Sequence, residues 1–386
     1  MQFPSPSQLT LSSLCAWAVL TAACPVQAEP LGLEKLGEAV FHDENLSMNR
    51  TQSCASCHSP AQGFSDPRRS AEGAFSLGDD GDSLGNRNAP TASYAAFIPP
   101  FHQNSGAMWI GGLFWDGRAN SLEEQAGGPP LNPVEMGMPD KAALVQRLRD
   151  NPAYVERFAS LFAPDVLQDD ERGFEAMTQA IAAFERSEEL APFSSKYDRY
   201  LAGKEDLSKE EELGRTLFFS EQFTNCNLCH QLRSSPMGTQ ETFSDYSYHN
   251  IGVPRNPAIS LEAGMPADFI DEGLLANPQV SDPAQRGKFR TPTLRNVAVT
   301  GPYMHNGVFQ DLRTVVMFYN RYNSKTEAAQ INPETGKPWG AAPVPETLSV
   351  PELTHGPALD ERRVDALVAF LKTLTDARYE PLLEEE

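Results

Sequence analysis

Cys54-Ala55-Ser56-Cys57-His58 and Cys226-Asn227-Leu228-Cys229-His230 are two copies of one five-residue pattern in a chain of 386 residues. Two thiols three positions apart can form thioether bonds to the vinyl groups of one haem, and the adjacent imidazole can bind its iron. Two Cys-x-x-Cys pairs could instead supply four thiolates to zinc, but a histidine directly follows each pair. The pattern therefore predicts two covalently bound haem c groups, with His58 and His230 as iron ligands.

The N-terminus has the features of an export signal. An apolar stretch too short to span a bilayer is followed by Val26-Gln27-Ala28, which offers a small-residue cleavage site. Loss of a signal peptide over residues 1–28 removes Cys15 and Cys24, so the four remaining cysteines all lie in the haem motifs. Acylation of Cys24, as in a lipoprotein, is the alternative, although Thr21 stands where a large aliphatic residue is preferred. We therefore expect a periplasmic protein.

The composition agrees with such a location. Hydrophobic residues make up 40% of the chain, enough to build cores for two domains, and no later apolar run has membrane-spanning length. The formal charge of -21 excludes nucleic acid as a partner and favours basic protein surfaces. The alternative interpretation is that the acidity only keeps an exported protein in solution.

The chain also repeats itself on a larger scale. Leu36-Gly37 with Phe41 precedes the first motif, as Leu213-Gly214 with Phe218 precedes the second. Ala182-Ala183-Phe184-Glu185-Arg186-Ser187 closes the first half, much as Val368-Ala369-Phe370-Leu371-Lys372-Thr373 closes the second. We predict a mainly α fold of two cytochrome c-like helical domains, residues 29–195 and 208–386. Ser208 and Glu211 form a capping box at the start of the second.

Two stretches of the first half have contrasting patterns. Between His58 and Asp140 the chain is rich in glycine and proline, as in Gly127-Gly128-Pro129-Pro130, which predicts irregular structure that is usually functional. After it, Leu144, Val145 and Leu148 share one face of a helix. A second helix begins at Asn151-Pro152, with five residues predicted to point inward: Tyr154, Val155, Phe158, Leu161 and Phe162.

The sixth ligands of the two irons decide their chemistry, because a haem with an open position binds peroxide or oxygen, whereas a closed one carries electrons. No histidine lies between His58 and His102, and no methionine lies between His58 and Met108, so the first haem is predicted to be five-coordinate. In the helix after Asp311, Tyr319 shares an apolar face with Leu312, Val315 and Val316, whereas Met317 lies on another face with Arg313, Asn320 and Arg321. Taken alone, Tyr319 is more often a plain core tyrosine.

Further motifs show that the chain resembles the bacterial di-haem cytochrome c peroxidases, and within them the MauG-like branch. The likeness covers nearly the whole chain after the predicted signal peptide. Besides the haem motifs it rests on five segments: Asn86-Arg87-Asn88-Ala89-Pro90-Thr91, Phe114-Trp115-Asp116-Gly117-Arg118, Asn132-Pro133-Val134-Glu135-Met136, Thr291-Pro292-Thr293-Leu294-Arg295-Asn296 and Gly301-Pro302-Tyr303-Met304-His305-Asn306-Gly307.

The resemblance assigns roles to single residues. Ordinary members carry an axial methionine where this chain has Tyr319, and a tyrosine there is typical of the MauG-like branch. Many members also carry a blocking histidine in the loop after the first motif, but Ser59 to Leu84 contains none. Trp115 matches the tryptophan that relays electrons between the haems. The resemblance therefore implies that peroxide acts at the first haem and that the second, bound by His230 and Tyr319, shares the oxidising equivalents.

Other roles follow by position. Glu135 matches the distal carboxylate that acts as acid and base in cleaving peroxide, and Gln125 matches a neighbouring polar residue; without the resemblance, Glu135 would be interpreted as a solvated loop carboxylate. Asn88 matches a ligand of a calcium ion between the haems, and backbone carbonyls near Ser281 and Pro283 are expected to complete that site. Five histidines remain without a role, and most are expected to be structural or on the surface: His42, His102, His249, His305 and His355.

Three functions are consistent with this pattern. The first is a protein oxidase that uses hydrogen peroxide, or oxygen plus electrons, to oxidise tryptophan side chains of an exported partner through a high-valent di-haem state, as in maturation of the tryptophan tryptophylquinone of methylamine dehydrogenase. The second is a peroxidase that takes electrons from a small cytochrome. The third is an electron-transfer cytochrome without catalysis. Phe223, Thr224 and Asn225 stand where MauG has a tryptophan for electron transfer to its substrate, so the partner or the exit route is open.

Overall fold

Helices make up most of the regular structure, as predicted. The computed structural model describes residues 29–68, 75–224, 226–232, 240–258, 264–266 and 268–384, and the predicted signal peptide lies outside them. The α-helices in that part of the chain are α1 Glu29–Phe41, α2 Cys54–Cys57, α3 Leu122–Ala126, α4 Gly128–Leu131, α5 Lys141–Arg149, α6 Pro152–Leu161, α7 Asp170–Glu185, α8 Lys196–Leu201, α9 Lys209–Phe218, α10 Leu312–Asn320, α11 Val350–Leu353 and α12 Glu361–Lys372. Strands occur there only as short pairs, which confirms the mainly α fold class.

The strand pairs are antiparallel and two residues long. They are β1 (His102–Gln103) with β2 (Trp109–Ile110), β3 (Tyr248–His249) with β4 (Phe289–Arg290), and β5 (Ile331–Asn332) with β6 (Lys337–Pro338). None of the helices in the described residues is long and apolar enough to cross a membrane.

A close crossing of α1 and α7 organises the first half. A Cβ atom built on Gly37 would lie 1.8 Å from the carbonyl oxygen of Ala180, so only glycine allows the two backbones to come so near. Phe41 and Phe184 pack edge to face beside this contact, with ring centroids 5.1 Å apart. The crossing fixes the first haem motif, which follows α1 in the chain.

The second half repeats this crossing between α9 and α12. A Cβ on Gly214 would lie 1.8 Å from the carbonyl oxygen of Ala366, and the rings of Phe218 and Phe370 are 5.3 Å apart. α9 begins at the predicted capping box, in which Ser208 and Glu211 bond each other's backbone amides. The internal repeat seen in the sequence is therefore present as one helix crossing used twice.

The two largest hydrophobic clusters draw their buried residues from 36–190 and from 197–374, respectively. This supports a division into two helical domains, and the boundaries at residues 195 and 208 stay predictions. Buried polar contacts with Asp376 join the halves: the hydroxyl of Tyr94 donates to this carboxylate at 2.9 Å, and the backbone amide of Ser194 donates to it at 3.0 Å. The relative placement of the halves thus rests on specific partners as well as on apolar packing.

Predictions for the first half hold with two exceptions. The apolar face of α5 is fully buried, as are Tyr154 and Phe158 on α6, but Val155 is exposed, so its predicted inward orientation is wrong. Val155 follows a buried residue directly, and successive residues on a helix diverge by about 100°. The segment predicted to be irregular contains two short helices, α3 and α4. α4 tolerates Pro129 and Pro130 because they lie at its first positions, where a missing amide hydrogen costs nothing.

Candidate functional site

The first motif forms the short helix α2, which presents both thiols from one turn. The imidazole of His58 follows at its C-terminal end, and its Nδ1 lies 3.2 Å from the carbonyl oxygen of Phe64. This hydrogen bond places the proton on Nδ1 and leaves the Nε2 lone pair for a metal. Burial lowers the pKa of His58, so the ring is neutral, as iron binding requires.

The second motif has the same arrangement. Cys226–Leu228 form a 3-10 turn, and the Nδ1 of His230 lies 2.9 Å from the carbonyl oxygen of Phe243. Phe64 and Phe243 both have φ of 54°, so one strained backbone conformation aims the carbonyl at the imidazole in each half. Burial lowers the pKa of His230 as well. The four described cysteines form no disulfide with one another, which leaves their thiols available.

A large cavity adjoins the second motif, and Tyr319 of α10 shares it with His230, Cys226 and Cys229. The remaining wall is mostly apolar and includes Leu294, Val315, Val316, Leu367 and Leu371. Burial raises the pKa of Tyr319, and the charges of the two cysteines, when ionised, raise it further, which places the phenol near both sulfurs. An apolar space with an imidazole and a phenol in its walls fits a haem with two protein ligands.

Met317 points away from this cavity. Its sulfur accepts a hydrogen bond from Arg313 at 3.0 Å, and Arg313 in turn pairs with Glu361 and Asp365 of α12. The helical phase predicted for α10 therefore agrees with the side-chain positions. Another thioether, Met304, does line the cavity, so the sixth ligand has one competitor that the sequence analysis missed.

Trp115 connects the first half to this cavity. It forms part of the cavity wall, its indole Nε1 donates to the backbone carbonyl of Asn88 at 2.8 Å, and its own carbonyl accepts from the amide of Arg290 at 3.1 Å. Arg290 is itself buried, forms no ion pair among the described residues, and has its pKa lowered by burial. Its uncompensated guanidinium fits the carboxylates that a haem carries. Sequence patterns gave no signal for this residue.

Glu135 lies beside the first motif rather than in solvent. Burial raises its pKa, while a hydrogen bond from Asn132 to Oε1 at 2.9 Å orients the carboxyl group. Burial is the main cause of the raised pKa of both Cys54 and Cys57, and the charge of Glu135 makes a smaller contribution to each, so the carboxyl group lies within electrostatic range of both sulfurs. The interpretation as a solvated loop carboxylate is therefore wrong. Gln125 is half-buried in the last turn of α3.

Comparisons with known proteins agree with these sites. A family model described as di-haem cytochrome c peroxidase matches residues 32–206. The chain is 53% identical to the methylamine utilization protein MauG of Paracoccus denitrificans over 382 residues, which cover 98% of both chains. It is 34% identical to MauG of Methylophilus methylotrophus, over 78% of this chain and 76% of that one. The solved structure of the diheme peroxidase BthA from Burkholderia thailandensis aligns with a TM-score of 0.76 at 34% identity, covering 90% of this chain and 87% of that chain.

The chain belongs to the di-haem cytochrome c peroxidase family. Like its relatives in this family, it is a haem-dependent oxidoreductase with two covalently bound haem c groups. The described residues fit those groups: each motif offers two free thiols and an imidazole whose Nε2 is left for iron. The predicted haem attachment is thereby confirmed at the level of the family.

The calcium site at Asn88, Ser281 and Pro283 stays a prediction. The side-chain amide of Asn88 donates to the carbonyl of Pro302 at 2.6 Å and lies 3.4 Å from that of Met304. Ser281 and Pro283, the predicted partners, are exposed and have no described contact with Asn88. The two ends of the observed contact are 214 residues apart, a separation at which spacing carries no information. The structure thus pairs Asn88 with the Gly301 to Gly307 motif that the family resemblance had already marked.

The histidines without a role divide into two groups. His42, His102 and His355 are exposed. His305 and His249 line the cavity beside the second haem motif. The His305 ring stacks on Phe289 with centroids 3.6 Å apart, and burial lowers the pKa of His305 to about 3. His305 is therefore neutral in this family motif, and no contact assigns it to a metal.

Proposed function

We propose that this protein uses hydrogen peroxide to oxidise tryptophan side chains of a partner protein in the periplasm, and that the partner is the precursor of methylamine dehydrogenase. The observation that supports this most directly is that Tyr319 shares a cavity with His230. The names of two relatives, both methylamine utilization proteins, support the choice of partner. The haems supply peroxide binding and the storage of oxidising equivalents; the chain supplies ligands, protons and an electron route.

Tyr319 is the residue that separates this proposal from an ordinary peroxidase. A phenolate is an anionic donor that stabilises an oxidised iron, whereas a thioether favours the reduced state. Burial holds the free phenol neutral by raising its pKa, so ionisation requires a cation in the same cavity. Tyr319 therefore serves as a ligand only when the iron is present, and it then favours storage of oxidising equivalents over acceptance of electrons.

Glu135 acts on protons at the first haem. A carboxyl group can accept a proton from one peroxide oxygen and return it to the other, provided that it lies within hydrogen-bond reach of both. Burial raises its pKa, and the bond from Asn132 fixes one oxygen so that the other stays free to face the peroxide. Gln125 is proposed to assist as a polar neighbour on the same side.

Trp115 is proposed as the relay between the two haems, since its indole forms part of the cavity beside the second haem motif while its backbone belongs to the first half.

The exit route to the partner differs from that of MauG. Phe223 is the nearest aromatic residue before the second haem motif in the sequence. It lines the same cavity and is 42% exposed. Asn225 lies outside the described residues. We propose that the partner docks at this surface. We also propose a calcium ion bound by the side chain of Asn88 and by backbone carbonyls near Ser281 and Pro283.

Replacement of Tyr319 in the holoprotein tests the proposal. We expect the ferric wild-type protein to give one high-spin and one low-spin EPR signal, and the variant Tyr319→Phe to convert the low-spin signal to high-spin. Tyr322→Phe is the matched control, because that hydroxyl donates to the carbonyl of Ile251 at 2.9 Å and lies outside the cavity lining. A low-spin signal that persists unchanged in Tyr319→Phe would contradict the assignment and would point to Met304.

The partner requires a separate experiment. Holoprotein, peroxide and the methylamine dehydrogenase precursor are mixed, and formation of the quinone absorbance is followed. We expect it with wild type and not with Tyr319→Met. If Tyr319→Met instead keeps a long-lived oxidised state after peroxide, the role of Tyr319 is wrong. If wild type consumes peroxide only when a reduced small cytochrome is supplied, the protein is a peroxidase of the ordinary kind.

A further inference from the structure

Glu185, the last residue of α7, is a buried carboxyl group that the proposed function does not use. Its side chain is 5% exposed, and Oε2 has no hydrogen-bond partner among the described residues. It forms no ion pair there either. Burial raises the pKa of Glu185 to about 8, so the group is mostly protonated at neutral pH. A buried carboxyl group without a partner costs stability and therefore calls for a functional explanation.

The internal repeat shows where this side chain lies. Ala180 faces Gly37 as Ala366 faces Gly214, and Phe184 packs on Phe41 as Phe370 packs on Phe218. The residue that follows each phenylalanine is Glu185 in the first half and Leu371 in the second. Leu371 lines the cavity of the second haem. By the same geometry, Glu185 occupies the edge of the first haem.

The thiol of Cys54 gives an independent indication. Burial raises its pKa to about 12, and the next largest contribution comes from the negative charge of Glu185. The carboxyl group therefore lies close to the sulfur that attaches the first haem. Equivalent backbone positions thus hold a leucine at the closed haem and an ionisable carboxyl at the open one.

The charged groups around Glu185 leave it without a fixed counter-ion. Arg186 lowers its pKa and Glu123 of α3 raises it, and these two residues are paired with each other at 2.7 Å. From α1, the ring of His42 packs against Phe184, with centroids 6.1 Å apart. From α2, Cys54 becomes an uncharged thioether once haem is attached. The charge that changes most near Glu185 is then that of the haem itself.

We propose that Glu185 is a proton-holding residue at the edge of the first haem, which releases its proton when that haem is oxidised and takes it up again on reduction. When a redox mediator removes one electron from the ferrous haem, the iron gains one positive charge. Glu185 then releases one proton to solvent, so that the local charge is unchanged. The inference rests on the attached first haem and is independent of the identity of the partner protein.

The test is a spectroelectrochemical titration of the holoprotein, following the first haem at several pH values around 8. We expect the midpoint potential of wild type to fall as pH rises, approaching ~59 mV for each tenfold change in proton concentration. Glu185→Gln, which keeps the shape, and Glu185→Leu, which copies Leu371, should both flatten this slope. Glu175→Gln is the matched control, because Glu175 is an exposed glutamate on the same helix. A wild-type slope retained in Glu185→Gln would overturn the proposal.

A second measurement keeps the proposal testable if Glu185→Leu fails to fold or to bind haem. Infrared difference spectra between the oxidised and reduced protein should show a protonated carboxyl band that is lost on oxidation in wild type and in Glu175→Gln, and that is absent from Glu185→Gln. A band that survives in Glu185→Gln would assign the proton to another group and refute the proposal. Neither measurement uses peroxide or a partner protein, so failure of the proposed function leaves both results interpretable.

Discussion

Replacing Gly37 by alanine places a methyl group between the two helices that hold the first haem motif. The new carbon would lie 1.8 Å from the carbonyl oxygen of Ala180 and 2.6 Å from its carbonyl carbon. Both atoms belong to the backbone, so no rotamer change can relieve the contact. An ordinary contact between carbon and a carbonyl oxygen is about 3.4 Å, so α1 and α7 must separate by roughly 1.5 Å.

The cost follows from two opposing effects. Overpacking a well-packed core costs about 1–3 kcal/mol, and a rigid backbone contact belongs at the upper end of that range. Alanine in place of glycine inside a helix recovers about 1 kcal/mol. We therefore expect Gly37→Ala to lower the free energy of unfolding by about 2 kcal/mol. With an unfolding entropy of about 2.1 cal/mol/K per residue, a chain of this length should then show a Tm lower by roughly 2–3 °C.

Thermal and urea unfolding of the holoprotein measure this difference. Gly32→Ala is the control, since Gly32 lies on the same helix but a Cβ there meets only the end of the flexible Leu161 side chain, at 3.0 Å. That variant should unfold at or slightly above the wild-type temperature, and Gly214→Ala in the second half should behave like Gly37→Ala. Equal stability of Gly37→Ala and Gly32→Ala would refute the argument that the helix crossing requires glycine.

Three further predictions concern ionisable groups. Glu135→Gln should slow the reaction with peroxide by roughly 10²–10⁴-fold in stopped-flow measurements, with unchanged haem spectra. Because burial raises the pKa of Glu135, the activity of wild type should fall on acidification at a higher pH than it would with an exposed glutamate. Arg295→Met should cost about 3–5 kcal/mol in denaturant unfolding, since it leaves Asp198 buried without its partner, and a cost below about 1 kcal/mol would contradict this. Burial raises the pKa of Glu185 from 4.5 to about 8, so its protonation contributes stability that is fully present below pH 4.5 and is lost as pH rises through about 8. The free energy of unfolding of Glu185→Gln should therefore fall less than that of wild type between these pH values. Equal falls in the two proteins would contradict this prediction.

Local patterns carried most of the information about the fold. The repeat of Leu36-Gly37 and Leu213-Gly214 marked two equivalent helices before the haem motifs, whereas their close crossing with α7 and α12 became visible only in the structure. The capping box at Ser208 and the buried face of α5 were equally visible, since both depend on residues only a few positions apart. Val155 was misplaced because it directly follows the buried Tyr154, and successive residues on a helix diverge by about 100°.

The site was only partly predictable, for a physical reason. Helical phase predicts that Tyr319 lies on the apolar face of α10, and in the structure this residue lines the cavity beside the second haem motif. Its role as an iron ligand stays a prediction. Contacts between distant segments cannot be predicted from spacing: Asn88 meets Pro302, which lies 214 residues further along the chain. The buried guanidinium of Arg290 was missed in the same way, because burial is a property of the assembled fold.

The repeated frame makes the differences between the halves informative. The halves agree at Gly37 and Gly214, and in the matching φ values of Phe64 and Phe243. Such shared residues maintain the backbone frame, meaning the helix crossing and the haem motif that each half has in common. A difference at a matched position cannot then be a requirement of that frame, since the same backbone accepts either residue. Glu185 in place of Leu371 is such a difference, and the cost of a buried carboxyl group occurs only in the half that holds the first haem motif. The asymmetry in proton-holding groups therefore belongs to the chemistry of the first haem and not to its attachment.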